Sequence, residues 1–391
     1  MAEPTNTPVP GSTPRSTSPV HPQHTTAALL SPLRAFTLEN NNHPPKLRVL
    51  HIGDDVCYNL HTYAQFASQF DIVQPSPRER SRPEFARALA DRRWGDFHAV
   101  FRPFWGSGGE MGRWDRELID LLPQSVRLFA CAGSGFDWAD TQYMAQRGIL
   151  YCNAGLAAAE AVADFAVALV ISTFRQLPYC MASAVSADPD AFQACHVQAT
   201  AQSHNLRGHA LGLVGLGNIG QQIASRLHRG FAMDVHYYDV VRKPAEIESM
   251  LGATYHAQLD SLLRASDCVV LCTPAAGETT IINAESLRSF RPGARFVNIA
   301  RGSLVDEEAL VEALERNMVS AAAIDVHQNE PNVHSRLREL ALQGRVMLTC
   351  HNAGGTVETH RGFEELSMRN IMAVLSGGQP LTPVNLDHLP K

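Results

Sequence analysis

Short apolar runs recur along this chain between stretches whose apolar residues fall at helical spacing, and the two patterns alternate. A first set of strand-like runs covers 47–52, 99–101, 126–130 and 149–151, with helical patterns at 84–92 and 141–146. A second set, at 210–214, 235–238, 269–272, 295–299, 321–324 and 346–349, is apolar almost without interruption. Uninterrupted apolar runs mark strands buried on both faces, as in parallel sheets covered by helices. The alternation therefore predicts an α/β architecture of two doubly wound parallel-sheet domains. The stretch 160–174 is apolar on nearly every helical face, so it is expected to lie buried between those domains. A last helical pattern, 364–375, is expected to return to the first domain and make it discontinuous, with a polar tail after it. The expected division is a first domain of 46–152 and 356–386 and a second domain of 153–355.

Composition changes this picture mainly at the N-terminus. Residues 1–45 hold nine prolines, eleven Ser or Thr and four charged side chains, so they bury too little apolar surface to offset ordering entropy and read as a disordered tail. Arg15 and Arg34 in a Ser/Thr-rich segment suit a mitochondrial transit peptide, while Glu3 and Glu39 oppose one. A net charge of −6, 18% charged residues and no basic stripe with interleaved aromatics argue against nucleic acid as a partner. No secretory signal and no membrane span are expected, which leaves a cytoplasmic location. The eight cysteines are scattered without a C-x-x-C pair, so they read as core thiols of a reducing compartment, and no metal site is expected.

The first chemical signal is Gly215-x-Gly217-x-x-Gly220, placed between a strand and a helix. Gly215 allows a tight turn, Gly217 lets the backbone approach a pyrophosphate, and Gly220 lets the helix pack closely on the strand. The new helix points its N-terminal N–H groups at the anion. A second strand follows and ends in Asp239, placed to accept from the adenosine ribose hydroxyls and to repel a 2′-phosphate. The second domain is therefore expected to be a Rossmann-like NAD-binding domain, with NAD preferred over NADP. Arg242 and Lys243 stand close enough in sequence to soften that preference.

Arg301, Glu330 and His351 each follow a strand of this domain, at the carboxyl ends where ligands sit in open α/β sheets. Hydride addition to a carbonyl puts negative charge on oxygen, which calls for a proton donor and a fixed positive charge. Histidine suits proton delivery near neutrality, and a carboxylate on its far nitrogen fixes the tautomer. A planar arginine grips a carboxylate bidentately while polarising the adjacent carbonyl. The set fits 2-oxo acids.

With these residues in view the chain from about 47 to 386 resembles the D-isomer-specific 2-hydroxyacid dehydrogenases. The resemblance rests on the Gly215 motif, Ser266-Asp267, Thr273-Pro274, Asn298-Ile-Ala-Arg-Gly-Ser-Leu-Val-Asp306, Asp325-Val-His-Gln-Asn-Glu-Pro331 and His351-Asn-Ala-Gly-Gly-Thr356. It implies that Arg301 binds substrate, that His351 is the acid/base supported by Glu330, and that Asp325 contacts the nicotinamide carboxamide. It implies further cofactor contacts at Asn218, Ile219, Thr273, Pro274, Ile299, Ala300 and Gly354. The loop Gly133, Ser134 and Gly135 is implied to hold the substrate carboxylate through backbone N–H groups. Cys350 departs from the proline usual before the histidine. A homodimer is also implied, with the helix near 162–170 and its neighbours as interface candidates.

Within the family, 129–138, 203–209 and 237–240 are most similar to fungal D-mandelate dehydrogenases. Phe101, Phe104 and Trp105 follow a first-domain strand and are expected either to wall an aromatic or branched pocket or to pack the core. The alternatives are a glyoxylate or hydroxypyruvate reductase and a non-catalytic NAD-sensing protein like the C-terminal-binding corepressors. Formate dehydrogenase is disfavoured, since its histidine partner is glutamine where this chain has Glu330.

Overall fold

Two parallel sheets form where the apolar runs fall. The computed structural model describes residues 45–103, 112–275 and 279–390. The first sheet contains β1 (Arg48–His51), β2 (Asp71–Val73), β3 (Ala99–Arg102), β4 (Leu128–Cys131) and β5 (Leu150–Cys152), in the order β2-β1-β3-β4-β5. The second contains β6 (Ala210–Val214), β7 (Asp234–Tyr238), β8 (Ala253–Tyr255), β9 (Cys268–Leu271), β10 (Ala294–Asn298), β11 (Val319–Ile324) and β12 (Val346–Leu348). Its order is β12-β11-β10-β9-β6-β7-β8, and every pairing in both sheets is parallel. The chain reverses its winding direction between β6 and β9, and a crevice for ligands opens at such a switch point. Residues 46–391 form one compact unit that contains both sheets.

β9 and β10 are buried at every position, as their unbroken apolar runs require. β10 also buries two polar residues, Asn298 and Arg295, and the Nε of Arg295 donates to the Thr173 carbonyl at 3.3 Å while its guanidinium lies 4.1 Å from the Phe174 ring. Thr173 ends a helix, where the carbonyl dipoles favour a cation.

That helix, Gly155–Phe174, begins five residues earlier than the apolar pattern suggested. By length and composition alone it would suit a membrane span, which corrects the expectation that no such run exists. Half of it is buried inside the chain, and Ala163, Ala166, Leu169 and Val170 share a core with Leu211, Ile223 and Val297. It is a core helix, with Val162, Ala163, Ala166, Leu169 and Val170 buried and Asp164 and Ala168 exposed. Exposed apolar side chains also stand on the next two helices, Leu177–Val185 and Pro189–Gln202, at Met181, Val185, Phe192 and Val197.

The helix Val357–Leu375 packs on the first sheet. Its Met368 and Ile371 share a core with Val49, Phe66, Phe101 and Leu128. The segment beyond it is not a simple polar tail. Val384 N donates to the Tyr151 carbonyl at 2.9 Å, and Asn153 N donates to the Thr382 carbonyl at 3.2 Å, so this strap pairs with the edge of β5.

Candidate functional site

The turn after β6 has the three glycine environments that a dinucleotide requires. Gly215 has φ +103, a region L side chains rarely adopt. A Cβ at Gly220 would lie 2.4 Å from the Gly215 carbonyl oxygen, so the helix Asn218–Phe231 can start this close to β6 only with glycine there. At Gly217 an added Cβ would meet nothing within 4 Å, which leaves open space before the helix N-terminus. The residues present fit a pyrophosphate at this point.

Asp239 closes the far end of the turn. Its Oδ2 accepts from Leu216 N at 2.9 Å and lies 3.0 Å from Lys243 Nζ. Burial pushes its carboxyl upward, but the Leu216 N–H and the Lys243 ammonium outweigh burial and hold it below the usual carboxylate range. Arg242 is engaged by Glu248 through two contacts of 2.9 Å. Both neighbouring cations thus already have acid partners.

β10, β11 and β12 are successive neighbours in the sheet, so Arg301 and His351 leave strand ends two steps apart. At ~4.8 Å per step the backbones are about 10 Å apart, within reach of one small substrate. Glu330 stands on the loop between them. Its Oε2 lies 2.9 Å from His351 Nδ1, and its Oε1 accepts from His327 N at 2.8 Å. The turn carrying Arg301 packs on the same loop: a Cβ at Gly302 would lie 2.0 Å from the His327 carbonyl carbon. Glycine at 302 is what allows the two loops to touch.

His351 has φ +52, a costly conformation for a non-glycine residue. Asp325 holds it there. His351 N donates to the Asp325 carbonyl at 2.7 Å, Asn352 N donates to Oδ1 at 2.9 Å and Ala353 N donates to Oδ2 at 2.9 Å. Thr349 Oγ1 donates to Oδ1 at 2.7 Å as well. Asp325 is 1% exposed, and its carboxylate holds the histidine loop.

The third wall comes from the loop after β4. Gly133 has φ +84, and Ser134 packs against Gly155, where a Cβ would come within 2.6 Å of the Ser134 hydroxyl. Arg301 reaches across to this loop, with Nε donating to Asp137 Oδ1 at 3.0 Å. Its Nη2 lies where a Gly135 Cβ would stand, 1.4 Å from that position, so glycine at 135 admits the guanidinium.

A cavity of about 480 Å³ lies between these walls. Ser134, Gly135, Gly217, Asn218 and Ile219 line it, as do Thr273, Pro274, Ile299, Ala300 and Arg301. Gly133, Gly215, Gly220, Asp239, Asp325, Glu330, His351 and Gly354 stand outside that lining; His351 is 46% exposed at the side chain. Gly354 packs against the core helix, where a Cβ would meet Val162 Cγ2 at 3.6 Å. Cys272 also lines the cavity, and burial pushes its thiol up to about 12, which keeps it neutral.

Phe101 does not wall this cavity: it is fully buried beneath the first sheet, with its ring 5.4 Å from that of Phe66. Phe104 and Trp105 lie outside the described residues. Apolar lining comes from Phe136 and from Leu381, Pro383 and Val384 on the C-terminal strap. Sequence reading missed that strap, which carries no motif and shows its role only through pairing with β5. Asp137 stood inside the recognised loop, and only its contact with Arg301 distinguishes it.

A dinucleotide turn at a switch point, joined to a histidine–carboxylate pair and an arginine, defines a nicotinamide-dependent oxidoreductase site. Residues 167–353 match the NAD binding domain of the D-isomer specific 2-hydroxyacid dehydrogenases. The solved D-mandelate dehydrogenase of Rhodotorula graminis in its holo form is 36% identical with a TM-score of 0.83, over 87% of this chain and 98% of that one. A glyoxylate reductase of Thermococcus kodakarensis is 36% identical over 288 residues, 70% of this chain and 80% of that protein. The 4-methyl-2-oxopentanoate reductase A of Aspergillus oryzae is 32% identical over 305 residues, 78% of this chain and 88% of that protein. The chain belongs to the D-isomer specific 2-hydroxyacid dehydrogenase family. It is an oxidoreductase of 2-hydroxy and 2-oxo acids and not a non-catalytic sensor.

Proposed function

We propose that the protein reduces 2-oxo acids with bulky aromatic or branched side chains to D-2-hydroxy acids, with NADH as the electron donor. The His351–Glu330 contact of 2.9 Å, on strand ends neighbouring that of Arg301, carries this reading. The bound nicotinamide supplies hydride to the carbonyl carbon. Arg301 holds the substrate carboxylate on the guanidinium edge left free by Asp137, with backbone N–H groups of Gly133, Ser134 and Gly135 beside it. His351 Nε2 delivers a proton to the carbonyl oxygen. Glu330 on Nδ1 keeps the ring in the orientation and tautomer that make Nε2 the transferring atom. Asp325 acts one layer back, by fixing the backbone of the histidine loop.

The preference for NAD rests on Asp239, whose carboxylate would face a 2′-phosphate, and on Lys243 and Arg242 being held by acidic partners. Bulky substrates fit a cavity whose lining includes Phe136, Ile299, Leu381 and Val384. The D-mandelate dehydrogenase and 4-methyl-2-oxopentanoate reductase relatives favour the same class. The glyoxylate reductase relative favours small substrates, as the second reading. Residues 46–152 and 356–386 are taken as the substrate domain and 153–355 as the nucleotide domain. The exposed apolar side chains of the helices Leu177–Val185 and Pro189–Gln202 suit a homodimer contact. Eight free cysteines suit a reducing, cytoplasmic location.

The test is a panel of phenylglyoxylate, 4-methyl-2-oxopentanoate, hydroxypyruvate and glyoxylate with NADH and NADPH. Higher kcat/KM for the two bulky acids with NADH is expected. Values for glyoxylate that match or exceed theirs would replace this reading with the small-substrate one.

A further inference from the structure

We propose that Asp137 sets the charge class of the substrate: it orients Arg301 and restricts the site to 2-oxo acids bearing a single carboxylate. The proposal rests on the reading of Arg301 as the substrate-carboxylate binder. It begins with the charges in the cavity. Among the described residues that line it, Arg301 and Asp137 are the only charged ones, and they form an ion pair at 3.0 Å. The cleft wall is therefore neutral before substrate enters.

The geometry fixes which donors remain. Arg301 Nε is taken by Asp137, and Nη1 donates to the Ala300 carbonyl at 2.8 Å. The position of Nη2 over Gly135 keeps the guanidinium against the loop. What remains is the edge formed by the second Nη1 hydrogen and the two on Nη2. That edge matches one carboxylate bidentately. A bound monocarboxylate brings the cluster of guanidinium, Asp137 and substrate to a net charge of about −1. A second carboxylate on the substrate side chain would enter a space in which the described lining residues offer no cation besides Arg301 and already include Asp137. Like charges a few ångströms apart, partly withdrawn from water, repel more strongly than in bulk. The side chains of Arg301 and Asp137 are 26% and 38% exposed, so the repulsion is reduced by salt but not abolished. Asp137 is thus a positioning and specificity residue that acts on substrate through charge and through Arg301.

The test uses two acids of equal length, 2-oxoglutarate and its C5 amide, with the NADH-loaded protein and Asp137→Asn. Asparagine keeps the Oδ1 acceptor for Arg301 Nε and removes the charge. Wild type is expected to favour the amide at least ~10-fold in kcat/KM, about 1.4 kcal/mol. Asp137→Asn is expected to narrow that ratio at least ~5-fold, through KM for the dicarboxylate. In wild type alone, raising salt from about 20 to about 300 mM should narrow the ratio in the same direction. A wild-type ratio near one, or equal loss on both acids in the variant with the ratio unchanged, would overturn the proposal. Binding of the two acids, followed by NADH fluorescence, gives the same ratio without turnover. Failure to reduce any 2-oxo acid would overturn the functional reading, whereas an unchanged binding ratio would overturn the role of Asp137.

Discussion

His351 Nδ1 lies 2.9 Å from Glu330 Oε2, which leaves Nε2 as the ring atom able to exchange a proton with a substrate oxygen. Glu330 is itself held, since its other oxygen accepts from His327 N at 2.8 Å. Glu330→Gln keeps the volume and loses both the charge and the unambiguous acceptor. Its kcat for 2-oxo acid reduction is expected to fall ~10²-fold or more, with KM for NADH unchanged, because the wrong tautomer disables the ring. Steady-state kinetics check this, and a wild-type kcat would detach Glu330 from proton transfer.

Asp325 should matter for stability as much as for turnover. Its carboxylate accepts from Thr349 Oγ1, Asn352 N and Ala353 N while 1% exposed. Hydrogen bonds to a buried charge contribute ~1.5–3 kcal/mol each, and they are not additive. Asp325→Asn is expected to cost ~2–4 kcal/mol in denaturant unfolding and to lower kcat by releasing His351 from its left-handed conformation. Unfolding midpoints equal to wild type would show that the loop is held by other means.

Cofactor choice should turn on the Asp239–Lys243 pair, 3.0 Å apart. Asp239→Ser removes the carboxylate that the NAD reading sets against the ribose and frees the ammonium for a 2′-phosphate. The ratio of kcat/KM for NADPH to that for NADH is expected to rise at least ~10-fold, which corresponds to about 1.4 kcal/mol. A ratio that stays put would place cofactor discrimination elsewhere.

A separate prediction concerns pH. Burial lowers the pKa of His51 to about 4, against the pull of the Asp54 carbonyl, which accepts from or faces its Nε2 at 2.9 Å. The unfolded chain, with a histidine pKa of about 6.5, takes up the proton first as pH falls. His51 therefore has no destabilising effect above about pH 6.5 and costs stability progressively from there down to about pH 4. Between pH 7.5 and pH 5 the loss from this one group is about 2 kcal/mol. Denaturant unfolding of wild type and His51→Phe at those two pH values should show a pH-dependent drop smaller by that amount in the variant. Equal drops would mean that His51 is protonated in the folded protein.

The legible parts of the sequence were those where burial is complete on both sides. β9, β10 and β11 announce themselves because most of their residues are buried and apolar, and the glycine turn because each glycine has its own steric demand. β2 and β8 are three-residue edge strands with half-exposed side chains, so no period could mark them. The helix Pro189–Gln202 buries no residue, and an element without a buried face has no apolar stripe to read. At the site, Arg301, Glu330 and His351 could be singled out because chemistry demands their residue types at strand ends, and the structure brings Glu330 and His351 into contact. The place of Phe101 stayed open because an aromatic that fills a core and one that walls a cleft have the same sequence signature, and the structure puts it in the core. The strap at 381–384 was invisible for a related reason: its place depends on Asn370, whose Oδ1 accepts from Leu381 N at 2.9 Å and Thr382 N at 3.2 Å, a contact made across a turn.

The central claim is that His351 is the proton donor of a 2-oxo acid reductase. Its most direct test is pre-steady-state NADH oxidation by His351→Ala, with NADH affinity measured on the same preparation. The account predicts NADH binding within about twofold of wild type and reduction of phenylglyoxylate slowed by the ~10²–10⁴-fold that general acid catalysis supplies. Reduction at the wild-type rate, with NADH bound normally, would contradict it.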